Sequence, residues 1–161
     1  MIVSWMKMKR IFTQLREKGV ASTAPQAQSV PSPKSSGNNV LVVDDDQAVC
    51  RIVQRMLSDE RYQVQISQSV ADAFQAIEQK PFDAYVLDYK LPDGSGLDVA
   101  ERIRSIGSEA PIILISGYDG SSVASRAEKY RISDFLQKPF SREMICSALG
   151  KATGSTKAAL A

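Results

Sequence analysis

The chain has no histidine in its 161 residues, and no other feature of its composition removes as much chemistry. Histidine-ligated zinc, Ser-His-Asp and Cys-His catalysis, and any phosphohistidine role for this chain are excluded with it. Cysteine is scarce as well: Cys50 and Cys146 fall on separate predicted helices, with neither metal nor redox spacing. They read as buried small hydrophobes in a reducing compartment rather than as a disulfide. No stretch approaches the roughly 18 apolar residues of a membrane span. Lys7, Lys9 and Arg10 interrupt the place where a secretory signal carries its apolar core, so the expected setting is cytoplasmic. Acidic residues are lacking at one end only. Residues 1–39 hold six basic residues against Glu17, so the overall +2 divides into +5 for the head and −3 for the remainder.

What is present organises into four stretches. Residues 1–19 form a basic amphipathic segment in which Trp5, Met8, Ile11, Phe12 and Leu15 recur at helical spacing. Residues 5–18 of it suit weak contact with an anionic membrane surface or a partner groove. Residues 20–39, rich in Ser, Pro, Ala and Gln, read as a disordered linker. From residue 40 to 150 strands and helices alternate. Apolar runs at 40–43, 85–87, 112–115 and 135–136, with the alternating Gln63-Val64-Gln65-Ile66, predict five strands. Between them run helical stripes: Val49, Ile52, Val53, Met56 and Leu57; Val70, Ala73, Phe74 and Ile77, opened by Ser69 with Asp72; Leu97, Ala100, Ile103 and Ile106, closed by Gly107. A weaker fourth helix is predicted over residues 122–130, and a fifth, capped by Ser141, carries Met144, Ile145, Ala148 and Leu149. Five β-α units in a row predict an α/β fold, a doubly wound five-stranded parallel sheet with helices on both faces. Residues 151–161 form a short tail expected to fray, too few for a helix-turn-helix or a catalytic unit.

Four of the apolar runs stop on residues that do chemistry. Residues 40–43 end on Asp44, Asp45 and Asp46, residues 85–87 on Asp88, residues 112–115 on Ser116, and Phe135-Leu136 on Gln137 and Lys138. In a parallel sheet these ends share one edge, which is where open α/β sheets place ligands. An uncompensated acid cluster calls for a hard divalent cation, leaving Ser116 and Lys138 to hold an anion.

The motifs Val-Leu-Val-Val-Asp44-Asp45-Asp46, Val86-Leu87-Asp88-Tyr-Lys-Leu-Pro92-Asp-Gly94, Ile-Leu-Ile-Ser116-Gly and Phe135-Leu-Gln-Lys138-Pro139-Phe, in this order, resemble the CheY-like receiver domain of bacterial two-component response regulators. The resemblance covers residues 40–150 and implies a flavodoxin-like (β/α)5 fold. It implies that Asp88 accepts a phosphoryl group from the phosphohistidine of a sensor histidine kinase or phosphotransfer protein. Asp44, Asp45, Asp88 and the backbone carbonyl of Lys90 would hold Mg²⁺, Lys138 would pair with the phosphoryl oxygens, and Ser116 with Phe135 would form the switch pair. Pro139 would follow a cis peptide. Output would pass from the fourth helix, fifth strand and fifth helix to a downstream protein target, without direct nucleic-acid binding. Catalysis would extend no further than self-phosphorylation and autodephosphorylation.

The sequence also departs from the family's pattern. Arg131-Ile132-Ser133 stands where Gly-Ala commonly precedes the fifth strand, and Phe135 carries no hydroxyl. Lys90 and Tyr118, each two residues beyond a site residue, flank the phosphoryl position and could shield it from water. Two rival readings compete with a phosphoaccepting receiver. In a haloacid-dehalogenase-like phosphohydrolase, Asp44 would be the nucleophile and Asp46 the acid/base, with Ser116 and Lys138 in support. That reading leaves Asp88 without a role, places Ala48 where Thr or Val is expected, and lacks an acidic pair after Lys138. A receiver-like module that never takes phosphate should lack an acid or the lysine, and none is missing. As a cap, Asp46 alone suffices for the first helix.

Overall fold

The apolar runs form a single parallel sheet, as buried strands with near-continuous hydrophobic sequence should. In a computed structural model the described residues are 38–117 and 124–154. The segment at residues 5–18, the linker up to residue 37, Tyr118, the start of the fourth helix and residues 155–161 lie outside them. In chain order the elements are β1 (Asn39–Val43), α1 (Gln47–Ser58), β2 (Gln63–Ser67), α2 (Val70–Gln79), β3 (Ala84–Asp88), β4 (Lys90–Leu91), β5 (Gly94–Ser95), α3 (Gly96–Ser105), β6 (Ile112–Ser116), α4 (Ala124–Lys129), β7 (Asp134–Gln137) and α5 (Arg142–Thr153). The main sheet has the order β2-β1-β3-β6-β7, every pair parallel. All five residues of β3 and of β6 are buried, whereas edge strand β2 is mostly half-exposed.

The sheet separates two cores, and strand periodicity assigns residues to them. Leu41, Val43, Tyr85, Leu87 and Leu114 face one cluster, which α2 and α3 complete through Val70, Ala73, Ile77, Leu97, Ala100 and Ile103. Val40, Val42, Val86, Ile113 and Ile115 face the other, closed by Val53 and Leu57 of α1 and by Ile145, Ala148 and Leu149 of α5. Successive residues of one strand point to opposite faces, so each central strand serves both cores.

Three stripe residues lie outside the cores. Ile52 is 54% exposed, Ile106 48% and Met144 45%. In α1 the buried set is Cys50, Val53 and Leu57, with Val49 and Met56 flanking. Each helical step turns about 100°, which carries Ile52 well round from the centre of that set. Met144 stands in the same relation to Ile145 and Leu149. Ile106 follows the last turn of α3 as its C-cap, and Gly107 then takes a left-handed φ of 82°. α5 continues past Gly150 to Thr153, where Gly154 caps it at φ 68°.

Residues 90–96, dense in turn formers, fold as a small antiparallel hairpin. β4 pairs with β5, Lys90 opposite Ser95 and Leu91 opposite Gly94, with Pro92 and Asp93 at the tip. The hairpin stands between Asp88 and α3, and so borders the edge where the chemistry gathers.

Candidate functional site

β1 delivers three consecutive acids with different surroundings. Asp44 is 2% exposed; its Oδ1 accepts from the Asp46 amide at 2.9 Å and its Oδ2 from Lys138 Nζ at 2.8 Å. Asp45 is exposed. Asp46 is the N-cap of α1, accepting from the amides of Ala48 at 2.7 Å and Val49 at 3.3 Å. A carboxylate occupied in this way is poorly placed to serve as the acid/base of a hydrolase, and the phosphohydrolase reading loses its second residue.

Asp88 ends β3 and is buried, with Oδ1 3.2 Å from Lys138 Nζ. Burial, and then the negative charge of Asp44, push its carboxyl above the ordinary aspartate range, and the nearby lysine offsets this only in part. Lys138 moves upward as well: burial favours its neutral form, but hydrogen bonding and charge from Asp44, followed by Asp88, more than reverse that. One ammonium thus serves two buried carboxylates. Beneath them the Cys50 thiol donates to the Asp44 carbonyl at 3.1 Å; burial and then Asp44 push it up to about 11, so it is a protonated packing group.

One carboxylate oxygen from each of Asp44, Asp45 and Asp88 can be chosen such that all lie within 4.8 Å of one another. Such an all-oxygen, strongly anionic donor set fits a hard divalent cation such as Mg²⁺. Ser116, the last residue of β6, is 1% exposed, and its carbonyl accepts from the Lys138 amide at 2.8 Å, which brings the ends of β6 and β7 together. Phe135 on β7 is half-buried and packs against the same core cluster as Ala127 of α4. The Lys138–Pro139 peptide is cis. Lys90 follows Tyr89 and its side chain is exposed.

Two residues that the sequence reading passed over hold the loop after Asp88. A Cβ at Gly96 would stand 2.4 Å from the Asp88 carbonyl oxygen, closer than any side chain allows. Glycine is required there for close approach, and the Gly96 amide donates to the Tyr89 carbonyl at 3.1 Å. Asp93 spreads its carboxylate across the first turn of α2, accepting from Val70 at 2.8 Å and Ala71 at 2.9 Å. Those two bonds hold its carboxyl below the usual range. The loop's Pro-Asp-Gly-Ser-Gly composition marked a turn, but not the partners it would find.

The response regulator receiver domain family matches the chain over residues 40–150. The acid tolerance regulatory protein ActR of Rhizobium meliloti is 36% identical over 111 residues, 69% of this chain and 57% of that protein. A CheY-like receiver domain protein of Methanospirillum hungatei shares the fold with a TM-score of 0.70, covering 73% of this chain and 94% of that one at 22% identity. A response regulator of Burkholderia pseudomallei, solved with a phosphorylated aspartic acid, a calcium ion and citrate, is 25% identical with a TM-score of 0.67, over 73% of this chain and 69% of that one. The chain spans about half the length of the curated relatives it matches. With acids, hydroxyl and lysine gathered at the carboxyl edge of the parallel β2-β1-β3-β6-β7 sheet, the chain belongs to the response regulator receiver domain family.

Proposed function

We propose that Asp88 is the phosphoacceptor of a two-component phosphorelay, and that its phosphorylation remodels a protein-interaction surface on α4, β7 and α5. The observation that carries this reading is the sharing of Lys138 between Asp44 and Asp88 at a strand edge that also holds Asp45 and Ser116. An Asp88 carboxylate oxygen attacks the phosphorus of a partner's phosphohistidine. The new O–P bond forms as the N–P bond breaks, and the imidazole nitrogen leaves with the electron pair. Phosphoryl transfer needs little covalent help and much positioning and charge neutralisation. Lys138 supplies a fixed cation to the transferred oxygens. Asp44, Asp45, Asp88 and the Lys90 carbonyl are the groups that would hold Mg²⁺, which neutralises phosphoryl charge when bound.

The phosphoryl group adds about 1.5 to 2 negative charges beside these donors. Ser116 then turns its hydroxyl to a phosphoryl oxygen, and Phe135 takes up the space it leaves. The phosphodonor partner is a sensor histidine kinase or phosphotransfer protein, the recipient a downstream protein, and the setting the cytoplasm.

Incubation with Mg²⁺ and a small phosphodonor, followed by intact-mass analysis, should add one phosphoryl group, lost in Asp88→Asn and on chelation of the metal. Ser116→Ala should still accept it, while the amide shifts around Phe135 no longer respond. Phosphate found on Asp44 would overturn the assignment in favour of hydrolase chemistry.

A further inference from the structure

We infer that Asp93 is a positioning residue of the metal site, acting through the hairpin that carries Lys90. The inference rests on the reading of Asp88 and the Lys90 carbonyl given above. β4 and β5 have two residues each, and so short a ribbon does not hold its shape in water unaided. Its base is fixed by the Gly96 amide on the Tyr89 carbonyl and by the Tyr89 amide on the Ile115 carbonyl at 2.7 Å. Leu91 is buried in the core cluster beneath it. On the second strand, Ser95 and Asp98 form a capping box: the Ser95 amide donates to Asp98 Oδ2 at 2.8 Å and the Asp98 amide to Ser95 Oγ at 3.4 Å. Each of these ties the hairpin to β6, to α3 or to the core, and none reaches its tip.

Asp93 supplies the polar attachment at the tip. Its two oxygens each take one amide of the first turn of α2, from residues 23 and 22 positions earlier. For α2 itself this cap is partly redundant, because Ser69 Oγ already accepts from the Asp72 amide at 3.1 Å. For the hairpin, the same two bonds set the angle at which β4 leaves Asp88, and with it the direction of the Lys90 carbonyl. Without them the hairpin spends part of its time with that carbonyl misdirected, and the apparent affinity for the ion falls by the competent fraction. Orienting groups around metal ligands are worth about 10-fold to 100-fold in affinity; for an exposed anchor the lower figure applies.

The test compares two caps of the same helix. The 161-residue chain is titrated with MgCl₂ while the amide shifts of Asp45 and Tyr89 are followed, and urea unfolding is measured alongside. Asp93→Ala should weaken the Mg²⁺ dissociation constant about 10-fold. Ser69→Ala should lower the urea midpoint and leave the Mg²⁺ constant unchanged, since it removes a cap of α2 without touching the hairpin. Asp93→Asn, which keeps one acceptor oxygen, should fall between wild type and alanine. Unchanged Mg²⁺ affinity in Asp93→Ala, or an equal loss in Ser69→Ala, would reduce Asp93 to a helix cap and overturn the inference. If the unaltered protein fails to bind Mg²⁺, the reading of the metal site falls with it; normal binding there with an unaffected Asp93→Ala fails the inference alone.

Discussion

Lys138, where the strands end, faces two carboxylates, whereas Arg104, where β6 and β7 begin, faces four backbone carbonyls. The lysine divides one ammonium between Asp44 at 2.8 Å and Asp88 at 3.2 Å. Arg104 sends Nε to Tyr130 at 2.9 Å, Nη1 to Ser108 at 2.8 Å and Ala110 at 2.9 Å, and Nη2 to Arg131 at 3.0 Å. A guanidinium fork has five donors in fixed geometry, and carbonyls left bare by the ends of helices are its natural partners. Burial, followed by the charge of Arg131, lowers the Arg104 pKa, yet four acceptors hold the ion in place. Arg131 occupies a left-handed φ of 50°, in the turn where the family commonly has small residues, and its own side chain meets Glu109 at 2.8 Å. One edge thus holds a cation shared between two carboxylates, while the other holds a cation whose partners are backbone carbonyls.

Substitutions at three positions would break or sharpen that contrast. The largest effect should come from Gly96→Ala, because the atom its Cβ meets at 2.4 Å is backbone and cannot swing away. A loss of about 3 kcal/mol in urea unfolding is expected, with weaker phosphoryl acceptance as the Asp88 carbonyl is displaced. Arg104→Ala should cost about 2 kcal/mol, since partly buried carbonyls lose charged donors. Phosphorylation should be preserved, and Arg104→Lys should recover little because one ammonium cannot serve four diverging acceptors. Impaired phosphorylation in that variant would show that the two edges are not independent.

The third and smallest effect has the opposite sign. Asp88→Asn should stabilise the Mg²⁺-free protein at neutral pH, because it removes a buried charge that is only partly compensated. The folded Asp88 carboxyl titrates above its unfolded value near 3.8, so between the two values the native state holds more protons. Stability from this group therefore falls as pH rises through that window and stays lost above it. The urea midpoint of Asp88→Asn should exceed wild type most at neutral pH, with the gap closing as pH falls toward 3.8. A gap independent of pH would place the strain elsewhere.

The sequence carried the strand ends plainly because β1, β3 and β6 are buried on both faces, so each reads as an apolar run that stops where solvent chemistry starts. Asp44, Asp88 and Ser116 were legible for that reason, Lys138 only by the short apolar pair Phe135-Leu136 ahead of it on the partly exposed β7, and Asp46 as a cap by its place before α1. Helix orientation was legible only to within one residue of arc, which is why Ile52 and Met144 were assigned to cores they border. Long-range polar contacts left no local signal. Asp93 finds α2 across 23 positions, and Arg104 reads as an ordinary solvated helix charge until the turn after α4 is folded against it. Gly96 becomes necessary only once the Asp88 carbonyl is in place.

The ion pair between Asp44 and Lys138 joins residues 94 positions apart, from the end of β1, second in the sheet, to the end of β7 at its edge. During synthesis the groups of the site therefore emerge over most of the domain's length, and the cation comes after all of the acids. A nascent or truncated chain that stops short of β7 already carries Asp44, Asp45 and Asp88, yet has no ammonium to set between them. Compensation of the buried acids is acquired when the sheet is completed rather than when the acids themselves are made.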